Sequence, residues 1–326
     1  MKKTRQIAGR NIGAIGLGCM NLHHGYGHRA TQEETNALLH HALDLGVDFF
    51  DTATLYGFGT NEEAVGQALS AERSRFFLAS KCGMQGVDGV RVIDGRPATL
   101  KATCEDSLRR LRTDHIDLYY LHRWDKSVPI EESVGALADL VREGKIGAIG
   151  LSEVSSATLR RAHAVHPVAA LQSEYSLWSR DPERGVLQTC RELGVAFVAF
   201  SPLARGFLGD LRQVDGFTAS DIRASMPRFA PASYAANLTL ADAATAIASD
   251  AGCSLPQLAL AWLLRDPIVS VIPGTTRRVH LEENLAADRV TLDDTQLAQL
   301  DSLFAPGKIQ GERYNAASMA EIDQDR

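Results

Sequence analysis

Eight short, predominantly apolar runs, separated by segments with helical periodicity, constrain this chain more than any other feature. They cover residues 12–17, 47–50, 75–80, 116–121, 146–151, 168–171, 195–200 and 268–272, and their composition suits strands buried on both faces. The intervening segments carry helix signals. Thr31 and Glu34 form a capping box ahead of the stripe Leu38, Leu39, Ala42 and Leu43, and Gly46 supplies the stop. Thr60 and Glu63 predict a second box for a helix over 62–70. Further helices are predicted over 97–112, 129–141, 156–163, 182–193 (capped by Asp181), 238–251, 255–264 and 278–286. Strict strand–helix alternation predicts a parallel sheet covered by helices, and eight units fit a closed (β/α)8 barrel, an α/β fold. TRQI with the turn at Ala8–Gly9–Arg10 adds a short N-terminal hairpin, and several helices exceed the basic count. No linker divides residues 1–326, so a single domain is expected. The one oversized loop, 202–237, holds Gly206, Gly209, Gly216, Pro227 and Pro231 and reads as a functional lid.

Charge and cysteine usage narrow the function. A net charge of −6 argues against a nucleic-acid or anionic-membrane surface. The basic N-terminus lacks an apolar core, because Arg5, Gln6, Arg10 and Asn11 interrupt it, and no apolar run is long enough to span a bilayer. Five scattered cysteines without a C-x-x-C pair read as free thiols of a cytoplasmic protein.

The chemistry gathers after the strands. Asp51, Lys81, His122, Ser152, Gln172 and Ser201 each follow an apolar run, and in a parallel barrel such residues converge on one mouth. Tyr56 follows Asp51 by five residues, in a loop carrying Gly57 and Gly59. A phenol of pKa about 10 is a poor proton donor at neutral pH. A neighbouring ammonium lowers that value, and the ammonium needs a carboxylate partner to stay charged when buried. Tyr56, Lys81 and Asp51 therefore read as a tuned acid/base unit, with His122 orienting a substrate oxygen. That set suits protonating a carbonyl oxygen while a cofactor delivers hydride, since no side chain can. His23, His24, Tyr26 and His28 crowd the first strand-end loop without a carboxylate, which suits a surface or pocket-rim role better than a metal site, and no metal is expected. Trp124 is either a pocket wall or rim packing; with Tyr26, Met84 and Phe229 it hints at an apolar cleft.

These residues, with IGLGCM, LDLGVDFFDTATLYGFGTNEEAVGQAL, SLRRLRTDHIDLYYLHR, KIGAIGLSEVS, LQSEYSLWSR, FVAFSPLARGFLG and IPGTTRRVHLEENL, resemble the aldo-keto reductase superfamily along almost the whole chain. The nearest likeness is to NADPH-dependent bacterial and plant reductases of the pyridoxal-reductase-like and auxin-induced-like group. The resemblance implies reduction of aldehydes or ketones to alcohols, or the reverse, with NADP(H) as cofactor and a small carbonyl or alcohol as partner. An oligomer is compatible with it. Asp51, Tyr56, Lys81 and His122 match the family's catalytic tetrad, Tyr56 as general acid. Ser152 and Gln172 match the nicotinamide-carboxamide pair; Ser201, Leu203 and Gly206 match the pyrophosphate loop; Met20 lies in the first cofactor-contacting loop. Gly274, Thr275, Thr276 and Arg277 open a helix suited to the 2′-phosphate, with Glu283 and Asn284 near the adenine. Two departures stand out. Phe200 replaces the usual stacking Tyr, which keeps the ring face. Thr276 shifts the arginines by one, so either Arg277 or Arg278 faces the phosphate.

Overall fold

The structure, a computed structural model, describes residues 2–27, 29–211, 214 and 217–325. Gly216 and His28 lie outside the described residues. The eight-stranded sheet is parallel throughout: β3 (Leu17–Gly18), β4 (Phe49–Asp51), β5 (Phe77–Cys82), β8 (Ile116–Leu121), β9 (Ile146–Ser152), β10 (Val168–Glu174), β11 (Ala196–Phe200) and β12 (Val269–Val271). Parallel bridges Ile15–Val271 and Gly18–Gly274 join its edges and close the barrel. Around it run α2 (Gln32–Asp44), α3 (Thr60–Leu69), α4 (Pro97–Leu111), α5 (Ile130–Arg142), α6 (Ser156–Val165), α7 (Val186–Leu193), α8 (Pro231–Asp250), α9 (Leu255–Leu264), α10 (Arg278–Ala286) and α11 (Asp294–Leu303). Two short helices, α1 (Met20–His23) and α12 (Ala316–Glu321), sit at the mouth and in the C-terminal segment. No single helix among the described residues is long and apolar enough to cross a membrane.

Two hairpins flank this frame. The first, β1 (Thr4–Ile7) and β2 (Arg10–Gly13), turns at Ala8 and Gly9, both at positive φ. Its Ile7 and Ile12 pack with Phe49, Phe77, Leu118 and Tyr120 inside the barrel and plug its N-terminal end. The second, β6 (Met84–Val87) and β7 (Val90–Ile93), turns at Asp88 and Gly89, again both at positive φ. The C-terminal segment closes back on α6, where Asp323 accepts from Ser155 N (3.0 Å) and Asp325 from Ser156 N (3.0 Å).

Several expected boundaries move, for local reasons. The first barrel strand is not 12–17: Ile12 pairs within the hairpin, so only Ile15 and Leu17–Gly18 reach the barrel. The Thr31 capping box forms, but the Thr60 box does not. Gly57, Phe58 and Gly59 all adopt positive φ and carry Thr60 into the helix, with Gly59 as N-cap and the Thr60 hydroxyl on the Gly57 carbonyl (2.9 Å). The expected 182–193 helix breaks at Gly185 into a single 3-10 turn and α7. Helix α8 starts at Pro231 rather than 238, because a proline at the first helical position costs no hydrogen bond.

Gly66 marks where α3 meets α4: a Cβ there would lie 2.3 Å from the Arg110 carbonyl oxygen. Backbone cannot retreat as a side chain can, so Gly66→Ala is expected to lower unfolding free energy by about 1–3 kcal/mol. Gly135, inside α5, has open space beside it, and Gly135→Ala is expected to add about 0.5–1 kcal/mol. Denaturant titration of both variants checks the opposite signs.

Candidate active site

Lys81 lies fully buried in β5, beneath the barrel mouth. Its ammonium has three N–H donors, and each finds an oxygen: the Asp51 carboxylate, the Thr52 carbonyl (2.9 Å) and the Tyr56 hydroxyl (3.2 Å). The other Asp51 oxygen accepts from Gln172 Nε2 (2.7 Å). Burial pulls the Lys81 ammonium down, but Asp51 and Tyr56 outweigh it and hold the group above its usual range, so it stays charged. This arrangement leaves the Tyr56 oxygen accepting from lysine and its own proton free for a ligand.

The expected lowering of the Tyr56 phenol is not realised. Burial pushes it up, and the pull of Lys81 does not fully offset that, so Tyr56 remains protonated at neutral pH. His122 is forced well below its usual range by burial, then by Arg123 and Lys81, and is therefore a neutral imidazole. Its Nδ1 is buried with no partner among the described residues, while its ring meets Tyr56 edge-on at 5.9 Å. On the other side His24 stacks on Tyr56, with centroids 5.8 Å apart.

A cavity of about 1110 Å³ opens over this group. Asp51, Tyr56, His122 and all the expected cofactor positions line it: Met20, Ser152, Gln172, Phe200, Ser201, Leu203, Gly206, Gly274, Thr275, Thr276, Arg277, Glu283 and Asn284. Ser152 and Gln172 lie within β9 and β10 rather than after them, Ser152 as the last residue of its strand and Gln172 two residues before the end of its own. Ser201 and then the run Ala204, Arg205 and Gly206 take positive φ, coiling the loop that follows β11. At the start of α10, Thr275 Oγ1 accepts from Arg277 N (3.0 Å), and Arg277 lines the cavity. Arg278 turns away and donates to the Ala37 carbonyl (3.3 Å), so Arg277 is the one facing inward. The Thr276 hydroxyl and the Arg277 guanidinium, beside the N-terminus of α10, fit a dinucleotide phosphate.

Trp124 does not line the cavity. Its indole N–H donates to Val128 O (2.9 Å) and the Arg161 guanidinium covers the ring at 5.7 Å, which turns it to rim packing. Phe229 also lies outside, packed against Trp178 and Tyr234, whereas Met84, Tyr26 and His24 line the space. His23 instead meets Asn61 Nδ2 at 2.9 Å. Residue-by-residue reading missed Arg123, Arg205 and Tyr314. The first two sit inside motifs already singled out, beside His122 and within SPLARG. The Tyr314 hydroxyl accepts from Arg205 (2.8 Å) across the mouth.

The Aldo/keto reductase family model matches residues 14–305. An aldo-keto reductase from Klebsiella pneumoniae, solved with NADPH, is 33% identical, with 97% of this chain and 99% of that one covered at a TM-score of 0.74. A glycerol dehydrogenase from Gluconobacter oxydans is 28% identical, with 96% and 98% covered at a TM-score of 0.86. The chain belongs to the aldo/keto reductase family, oxidoreductases that use NADP(H).

Proposed function

We propose that this protein is a single-domain, cytoplasmic NADPH-dependent reductase of aldehydes and ketones, able to run in reverse as an alcohol dehydrogenase. The observation that carries the reading is the Tyr56 hydroxyl, held from behind by Lys81 and facing a cavity with its proton unspent. Bound NADPH supplies the hydride. Ser152 offers a hydroxyl and Gln172 an amide oxygen for the nicotinamide carboxamide, Phe200 a ring face, and Thr275, Thr276 and Arg277 hold the 2′-phosphate. Tyr56 gives its proton to the substrate oxygen. The Lys81 ammonium beside it steadies the phenolate left behind, and Asp51 keeps that ammonium charged. Neutral His122 hydrogen-bonds the same oxygen and orients it without competing for the proton. The five free cysteines support a reducing compartment.

Removing the hydroxyl tests the acid. Tyr56→Phe is expected to lower kcat by about 10²–10⁴-fold, with NADPH affinity by fluorescence titration unchanged. Unaltered turnover would take Tyr56 out of this role. The pH profile follows from the same groups. The phenol sits above its usual value and the imidazole well below, so neither changes state around neutrality. Reduction is expected to stay level between about pH 6 and 8 and fall only as alkaline pH ionises the phenol, while alcohol oxidation rises there. Arg277→Ala is expected to raise KM for NADPH about tenfold while leaving that for NADH nearly unchanged. Steady-state kinetics with both cofactors reads the ratio.

A further inference from the structure

Five guanidiniums line the cavity, those of Arg91, Arg123, Arg205, Arg223 and Arg277. Four of them face a carboxylate: Arg91 with Glu321, Arg205 with Glu174 (2.8 Å), Arg223 with Asp221 (2.7 Å) and Arg277 with Asp210 (4.0 Å). Among the described residues, Arg123 has no carboxylate within ion-pair distance. It is half-buried and anchored at one end only, where Nη1 donates to the His122 carbonyl (2.7 Å) and to Ser152 Oγ (3.2 Å). Its Nε and Nη2 donors have no protein acceptor among the described residues. That free edge is the planar fork that matches a carboxylate with two parallel hydrogen bonds.

Position strengthens the point. Arg123 follows His122 directly, so its fixed end is tied to the backbone of a residue that touches the reacting oxygen. After burial, its charge is the largest influence on His122, and it also acts on the Tyr56 phenol. The donors suited to cofactor phosphates belong to a different element, the start of α10. Leaving a half-buried guanidinium without a counter-charge is unfavourable, and a ligand anion would relieve it.

We propose that Arg123 is a subsite for a carboxylate on the substrate, so that the preferred compounds are aldehydo or keto acids and the hydroxy acids they become. This rests on the reductase reading above. The test compares the ortho, meta and para formylbenzoates with their methyl esters, as ratios of kcat/KM within each protein. Ratios cancel any general effect of altering a residue that touches Ser152 and His122. The wild type is expected to favour its best anion over the matching ester about tenfold or more, through KM, with the preference shrinking in high salt. Arg123→Gln should bring the ratio close to unity, and Arg123→Lys, which keeps the charge, should retain part of it. A ratio unmoved by Arg123→Gln, with NADPH still oxidised, would overturn the subsite and leave the reductase reading standing. If no aldehyde is turned over, calorimetric titration of the same compounds decides. Arg123-dependent binding of the anion keeps the subsite while removing the redox reading, and equal binding of anion and ester removes the subsite too.

Discussion

The ion pair between Lys81 and Asp51 dictates much of how this barrel is put together. Removing two charges from water costs several kcal/mol for each, and their attraction repays that only when every remaining donor and acceptor is also met. Here the fourth partner, Gln172, comes from a strand on another part of the ring, and Thr52 contributes its backbone. Such convergence needs β4 beside β5 in parallel, with Asp51 opposite Ala79 so that Lys81 lies two residues further toward the mouth. A slip of one residue would turn the ammonium into the helix layer. A tight turn closed by the Tyr56 N–H on the Ala53 carbonyl (3.1 Å) then brings Tyr56 to the same spot, and the left-handed turn at Gly57–Gly59 leads on into α3. Asn61 holds the Cys19 carbonyl (2.9 Å), and buried Glu62 holds Arg110 (2.7 Å) and Ser80.

A second buried ionic group secures the upper wall. Glu153 pairs with Arg313, and Glu174 takes both Arg205 and the Tyr314 hydroxyl (2.9 Å). Burial alone would raise the Glu174 carboxyl, but Arg205, Arg313 and Arg228 together hold it down to about 2, so it stays ionised across the working pH range. The loop after β11 and the C-terminal segment are thereby tied to strands of the barrel itself. Two tail carboxylates, Asp323 and Asp325, complete the attachment at the first turn of α6, where free N–H groups favour negative charge.

How much of this was readable from the residues varies with the range of the interaction. The barrel and the convergence of Asp51, Tyr56, Lys81 and His122 were legible, because an apolar run ending in a charge is a local pattern. So was the N-terminus of α10, where Gly, Thr and Arg announce a helix start. The β6–β7 hairpin was missed although its Asp88–Gly89 turn, between alternating apolar residues, carries a local signal. The start of α8 at Pro231 was missed for the opposite reason: proline read as a loop marker when it stood at a first helical position. Trp124 shows a sharper limit. Of the three consecutive residues after β8, His122 and Arg123 line the cavity and Trp124 does not, and the packing of Trp124 beneath Arg161 is what sets it apart. The Arg205–Tyr314 contact joins residues 109 apart, and no local pattern could report it. The direction of the Tyr56 shift was equally hidden, since it turns on a balance between burial and one ammonium that only coordinates can weigh.

The hairpin that fills the floor of the cylinder has a kinetic consequence. Ile7 and Ile12 are wedged among Phe49, Phe77 and Tyr120, so the floor of the cylinder is packed with apolar side chains while the cavity over Tyr56 opens at the other end. A filled floor and an open mouth mean that two ligands meeting at the phenol share one approach, and an ordered exchange is the expected kinetic consequence.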